Sequence, residues 1–149
     1  MQARASRSAA TGAQDVTTAV LRTADVLRRR VATALAPHDV TSQQYNVLRI
    51  LRGAHPRPLP TLEVAARMIE QAPGVTRLLD RLEALDLVRR ERGAEDRRLV
   101  ECIITAAGLK LLAELDEPID AVNRDAVRSL SAADRQSLVR LLGQLRGGG

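Results

Sequence analysis

The stretch RRERGAEDRRLVE, residues 89–101, gathers Arg89, Arg90, Arg92, Arg97 and Arg98 around a glycine-containing centre. Five guanidiniums held close together repel one another and stabilise no fold by themselves. Each is a planar fork of donors matched to the oxygens of a phosphate or carboxylate. The cluster is therefore either a solvated charged loop or a seat for something strongly anionic. The chain as a whole carries a formal net charge of +5, which also favours an anionic partner such as nucleic acid or an acidic membrane face. Lys110 is the single lysine, so nearly all of that charge is arginine.

Other chemistries find little support. No activated nucleophile, paired carboxylates in a plausible cleft or phosphate-cradling loop is visible, which argues against an enzyme. His38 and His55 sit in linkers without HxxxH, HxxE or CxxC spacing, so neither a metal nor another cofactor is expected. The one cysteine, Cys102, excludes an internal disulfide framework and fits a reducing compartment, hence the cytoplasm. It alternates with Val100 and Ile104, which predicts a core-facing thiol rather than a redox sensor. No apolar run reaches the ~18 residues of a membrane span. Aromatic content is 1%, so stacking platforms for single strands are missing and a nucleic-acid partner should be duplex.

The elements that must position these groups follow from periodicity. The 149 residues suffice for one domain, and 45% hydrophobic with 28% charged residues is a globular composition. Residues 1–14 form a basic, acid-poor start whose composition fits a disordered tail, with a transit peptide as the alternative. Residues 15–35 read as a helix, with Val16, Val20, Ala24, Leu27, Val31 and Ala34 at spacings of three and four. Pro37 should end it. Thr41 with Gln44 predicts a capping box for a second helix bearing Tyr45, Val47, Leu48 and Leu51. Gly53, Pro56, Pro58 and Pro60 read as a stiff connector, and Thr61 opens a short helix, LEVAARMI.

In APGVTRLLDRLEAL, residues 72–85, Val75, Leu78, Leu79, Leu82 and Leu85 share one helical face. Pro73, Thr76, Arg77, Asp80 and Ala84 centre the other, with Pro73 acceptable only in the first turn. Two helices joined by a tight polar connection make a helix-turn-helix. After Asp86 the period changes to two. Strands over Leu87–Arg92 and Arg98–Ile104, with Gly93 of GAED free to take positive φ, predict a β-hairpin, and Val100, Cys102 and Ile104 should face one way. A hairpin directly after a helix-turn-helix is a wing.

From Ala106 the helical period returns, with Gly108, Leu112, Leu115, Ile119, Val122 and Ala126 as a lengthwise seam. Pro118 should kink or break that helix near Glu117. Ser131 with Asp134 should cap a last helix carrying Leu138, Leu141, Leu142 and Leu145, before a floppy 147–149. The expected fold is mainly α with a small β-hairpin: a single domain over 15–146. Its winged helix-turn-helix lobe spans 41–105, between terminal helices over 15–35 and 106–146.

Over roughly residues 15–146 the chain resembles the multiple antibiotic resistance regulator (MarR) family. The resemblance rests on Thr76, Arg77, Asp80, Arg81, Leu82 and Glu83, then Asp96 and Arg98, then Thr105 and Gly108. QYNVLRIL at 44–51 and LSAADRQSLVRLL at 130–142 match more loosely. Asp86 stands where the family usually has glycine, Ile69 replaces the usual small turn residue, and Pro73 with Gly74 opens the recognition helix. These departures bear on which operator is read.

The resemblance implies a sequence-specific regulator of transcription, a repressor released by a small-molecule ligand. It implies a homodimer built by the terminal helices, whose recognition helices enter successive major grooves of a palindromic duplex. Thr76, Arg77 and Asp80 would face base edges, with Pro73 at the same end, and Arg81 would brace the helix or touch a phosphate. Arg98 would enter the minor groove, held by Asp96, while Arg89, Arg90, Arg92 and Arg97 contact phosphates. A small amphipathic or aromatic effector is implied in a cleft between the terminal helices and the DNA-binding lobe, walled by aliphatics with Arg28 or Arg49. A non-specific architectural DNA-binding protein and a helical interaction protein stand as alternatives.

Overall fold

The computed structural model describes residues 10–70 and 74–147. Helix α1 runs Ala13–Leu35, two residues earlier than periodicity places it, because Asp15 closes a box on the Gly12 backbone. A 3-10 turn at Ala36–His38 holds Pro37 and ends in Asp39 at φ 55°. α2, Ser42–Ala54, begins with the reciprocal Thr41–Gln44 box, each bond at 3.1 Å. α3 spans Thr61–Arg67, α4 Val75–Ala84, α5 Ala106–Val127 and α6 Ala132–Leu145. Of the basic tail expected over 1–14, residues 1–9 lie outside the described residues, as do Pro73 and the last two glycines, while 13–14 belong to α1 rather than to a tail.

The sheet has three strands rather than two. β2 (Val88–Arg92) and β3 (Val100–Ile104) pair antiparallel with Arg90 opposite Cys102, and β1 (Leu59–Pro60) pairs with the other edge of β3. β1 hides in the proline connector. It is too short for alternation, and Pro60, which has no N–H, suits an edge. The strands are also shorter than their period suggests: Leu87, Arg98 and Leu99 fall outside. Cys102 and Ile104 enter the core, but Val100, at the start of β3, is 41% exposed.

Gly93 corrects a second expectation. It is not among the positive-φ residues; it is buried in the wing, where a Cβ would lie 2.6 Å from the Asp96 carbonyl oxygen. Close approach, not backbone handedness, requires glycine there. Asp86 does adopt the left-handed conformation, at φ 58°, as the turn from α4 to the wing demands.

The core gathers Leu35, Leu48, Leu51, Leu79, Leu82, Leu112 and Leu115, all at most 2% exposed. Each fully buried leucine contributes about 1.5–3 kcal/mol. The α5 seam therefore packs on α1 and α2 of its own chain. Pro118 does not break α5, which continues to Val127. Its flanking Leu115 and Ile119 are buried, and that packing holds the helix through the lost hydrogen bond. α6 is different. None of its residues is buried, and Leu138, Val139, Leu141 and Leu145 are exposed. Among the described residues, no helix is long and apolar enough to cross a membrane.

Candidate nucleic-acid interface

α4 and the wing form one exposed surface. α4 starts after Gly74, whose φ of 120° few other residues adopt. Val75, Leu79 and Leu82 anchor it in the core, which turns Thr76, Arg77, Asp80 and Arg81 outward. Leu85, expected on the apolar face, is instead the C-cap and 44% exposed. Arg77 and Arg81 have no carboxylate partner among the described residues, so the bracing expected of Arg81 is not seen. Both side chains lie on the exposed face of α4.

The bracing comes from Arg90. Its guanidinium donates to Asp80 at 2.5 Å and Glu83 at 3.2 Å, and its backbone N–H donates to Glu83 at 3.0 Å. The side chain is 21% exposed, far less than those of Arg89 and Arg98. Hydrogen bonds from the Arg90 side chain and backbone hold the Glu83 carboxyl below its usual range, and Glu83 with Asp80 raises Arg90 further. Asp80, expected at base edges, and Arg90, expected on a phosphate, are thus committed to each other. They tie β2 to α4 and set the angle between wing and helix. Sequence reading misses Glu83 in this role, although its spacing from Asp80 puts both carboxylates on one helical face.

The wing tip is organised by Asp96. Its carboxylate accepts the Arg98 backbone N–H at 3.0 Å, the Nε at 3.2 Å and an Nη at 3.3 Å. These bonds, the side-chain one first, hold the Asp96 carboxyl below its ordinary range. Arg98 nevertheless projects, its side chain 90% exposed. Arg92 donates to the Arg97 carbonyl at 3.0 Å, and the Gly93 N–H donates to the Leu99 carbonyl at 2.9 Å. Arg89 lies 4.0 Å from Glu91, a loose exposed pair worth little. Thr61 at the start of α3 bonds the Val100 carbonyl at 3.2 Å, so α3 also supports the wing. A notch of about 290 Å³ lies between them, lined by Thr61, Thr76, Arg90 and Arg98.

A second, larger cleft of about 390 Å³ opens between α1, α2, α5 and the segment after α3. Leu27, Val31 and Ile119 line it, with Arg28 and Arg49 on its walls. Tyr45 is largely buried there, its hydroxyl pKa raised by burial, with the Arg49 guanidinium 5.9 Å from its ring centre. No cluster of three potential metal ligands exists among the described residues.

Cys102 is fully buried, 3.6 Å from the Thr61 hydroxyl, and burial pushes its thiol pKa up. Thiolate is the reactive form, so alkylation at neutral pH should leave the native protein unlabelled and proceed readily in denaturant. Fast labelling of the folded protein, followed by mass, would contradict a core role.

The comparisons with known proteins agree with this geometry. The MarR family model matches residues 38–99, from the turn before α2 to the wing. A MarR transcription factor from Planctomyces limnophilus is 37% identical; the alignment covers 91% of this chain and 98% of that one, with a TM-score of 0.69. The HTH-type transcriptional regulator FarR of Neisseria gonorrhoeae is 28% identical over 127 residues, 85% of each chain. An Escherichia coli MarR variant solved with operator DNA shares the fold at a TM-score of 0.78 and 22% identity, covering 87% of this chain and 92% of that one. Such proteins are regulators rather than enzymes. With its helix-turn-helix, arginine-tipped wing and near full-length match to a relative, the chain belongs to the MarR family of DNA-binding winged helix-turn-helix transcription regulators.

Proposed function

We propose that this regulator is a cytoplasmic homodimer that binds a palindromic duplex operator and represses transcription until a small amphipathic or aromatic ligand releases it. The observation that carries the reading is Arg98, held at its base by Asp96 yet projecting almost fully from the wing tip. A narrow, cationic tip of this kind suits the minor groove, where negative potential is focused. Thr76 and Arg77 serve as base-edge contacts, and Arg81, Arg89, Arg92 and Arg97 as phosphate contacts. Asp80 and Arg90 keep the two surfaces aligned. Pro73 adjoins the base-reading end by sequence alone.

Support for the dimer comes from the uncovered leucines of α6 and from Leu21 of α1, which is 67% exposed. Two recognition helices would then meet grooves about one helical turn, roughly 10 bp, apart. The terminal helices, 15–35 and 106–146, supply the pairing, and 41–105 the DNA-binding lobe. The 390 Å³ cleft falls within the size range of drug-like ligand sites and serves as the effector site.

Selection of bound duplexes from a random pool tests this directly. A two-fold symmetric consensus is expected. Arg77→Ala should then cost on the order of 1–3 kcal/mol and relax preference at one base pair of each half-site. Recovery of no consensus would count against sequence-specific reading and favour architectural binding.

A further inference from the structure

We infer that Arg135 is a positioning residue: it fixes the angle at which α6 leaves α5, and so the separation of the two recognition helices in the dimer. The second part rests on the reading that α6 pairs with a second copy of this chain. The guanidinium bridges the corner between the two helices. Its Nε donates to the Leu130 carbonyl at 3.1 Å and an Nη to the Val127 carbonyl at 3.2 Å. Val127 is the last residue of α5, where the final carbonyls lack partners inside the helix and carry the negative end of its dipole. Arg135 lies four residues after Ser131, the N-cap of α6. A cation there works against the dipole of its own helix, yet its charge is delivered to the negative end of the preceding one.

α5 has a seat of its own. Leu112, Leu115 and Ile119 are buried, and Asp125 in the last turn pairs with Arg30 of α1 at 3.6 Å. α6 has none of its residues buried. Among the described residues, the two bonds of Arg135 are the only side-chain hydrogen bonds or ion pairs that join α6 to anything before Ser131. The cap made by Ser131 and Asp134 is local and sets where the helix begins, not where it points. With no buried side chain to choose a direction, a planar fork that holds two carbonyls at once does so. Leu138, Leu141, Leu142 and Leu145 form a stripe along α6, the face that the second copy covers. The direction of that stripe relative to α5 decides how far apart two DNA-binding lobes lie. Grooves about one helical turn apart leave little tolerance in that distance.

The test uses the full-length protein without DNA. Ala84, the last residue of α4, is exposed, and the one native cysteine is buried. A spin label on Ala84→Cys therefore reports the distance between recognition helices. One narrow distance is expected with Arg135 present, and a broader distribution with Arg135→Ala. Amide exchange over residues 128–135 reads the corner within one chain. It should speed up roughly threefold to tenfold in Arg135→Ala, the size of about one net hydrogen bond. Arg135 is exposed and alanine is the better helix former, so neither misfolding nor lost propensity would account for the change. Arg135→Lys keeps the charge but not the fork, and should restore only part of either effect. Unchanged exchange in Arg135→Ala, a distribution that stays narrow, or full restoration by lysine would overturn the inference. A labelled wild type that is monomeric would instead remove the dimer reading, and the spacing role with it, while exchange still decides the corner.

Discussion

Arg98→Ala is expected to weaken operator binding by roughly 10- to 100-fold, the range of a lost charge-assisted contact to DNA. The loss should fall almost equally on strong and weak operator sequences, because an arginine in the minor groove reads width and potential more than base identity. The slope of log affinity against log salt should become shallower by about one. Sedimentation should show the same oligomer as the wild type, since the hydrogen bonds and ion pair of the wing tip stay within the wing. Asp96→Asn offers a milder comparison. It keeps an oxygen for the Arg98 N–H but loses the charge beside the guanidinium, so a smaller deficit is expected. An oligomer that dissociates on Arg98→Ala would show that wing and terminal helices are not separate parts.

Gly108→Ala should give the largest loss of stability of any single methyl addition to the described glycines. A Cβ at Gly108 would lie 2.5 Å from the Leu87 carbonyl oxygen and 2.6 Å from Ile104. Neither neighbour can retreat easily. The Leu87 carbonyl already accepts the Thr105 N–H at 3.1 Å, and Ile104 is buried at the end of β3. Thr105 locks the corner further: its hydroxyl donates to the Asp86 carbonyl at 2.7 Å and accepts the Gly108 N–H at 3.1 Å. Overpacking so tight a corner costs about 1–3 kcal/mol, or a fall of several degrees in Tm. Gly53→Ala is the matched control. Nothing lies within 4 Å of its added methyl, and it sits inside α2, so Tm should rise slightly. Equal effects at the two positions would contradict this account of the corner.

The Gly108 corner also shows how far the sequence could be read. Thr105 and Gly108 stand out as a motif, yet their reason lies in a contact with Leu87, far back in the chain. Helices with strong stripes and local caps are legible because their determinants are three or four residues apart. The Thr41–Gln44 and Ser131–Asp134 boxes form as their spacing predicts. The hairpin is legible from the change of period.

What escapes is set between elements. β1 consists of two residues in a proline run and exists only because β3 offers an edge. Val100 keeps the alternation but stays exposed at the start of β3. Gly93 looks like a turn glycine and is needed for packing. Pro118 interrupts a pattern whose packing on both sides is strong enough to continue the helix. At the candidate site, the exposed Thr76, Arg77 and Arg98 follow from spacing, and Asp96 supports Arg98 as the resemblance implies. The Arg90 link to Asp80 and Glu83 does not follow, because nothing in a run of arginines says which one turns back toward the helix. Pro73 lies outside the described residues, so no side-chain account attaches to it.

Competition between a selected duplex and a scrambled one of the same length and composition, at physiological salt, tests the central claim most directly. Reading by two recognition helices predicts a preference on the order of 10³ or more for the selected sequence. A ratio near one, with both duplexes bound, would mean that the arginines grip phosphate alone and that α4 reads nothing.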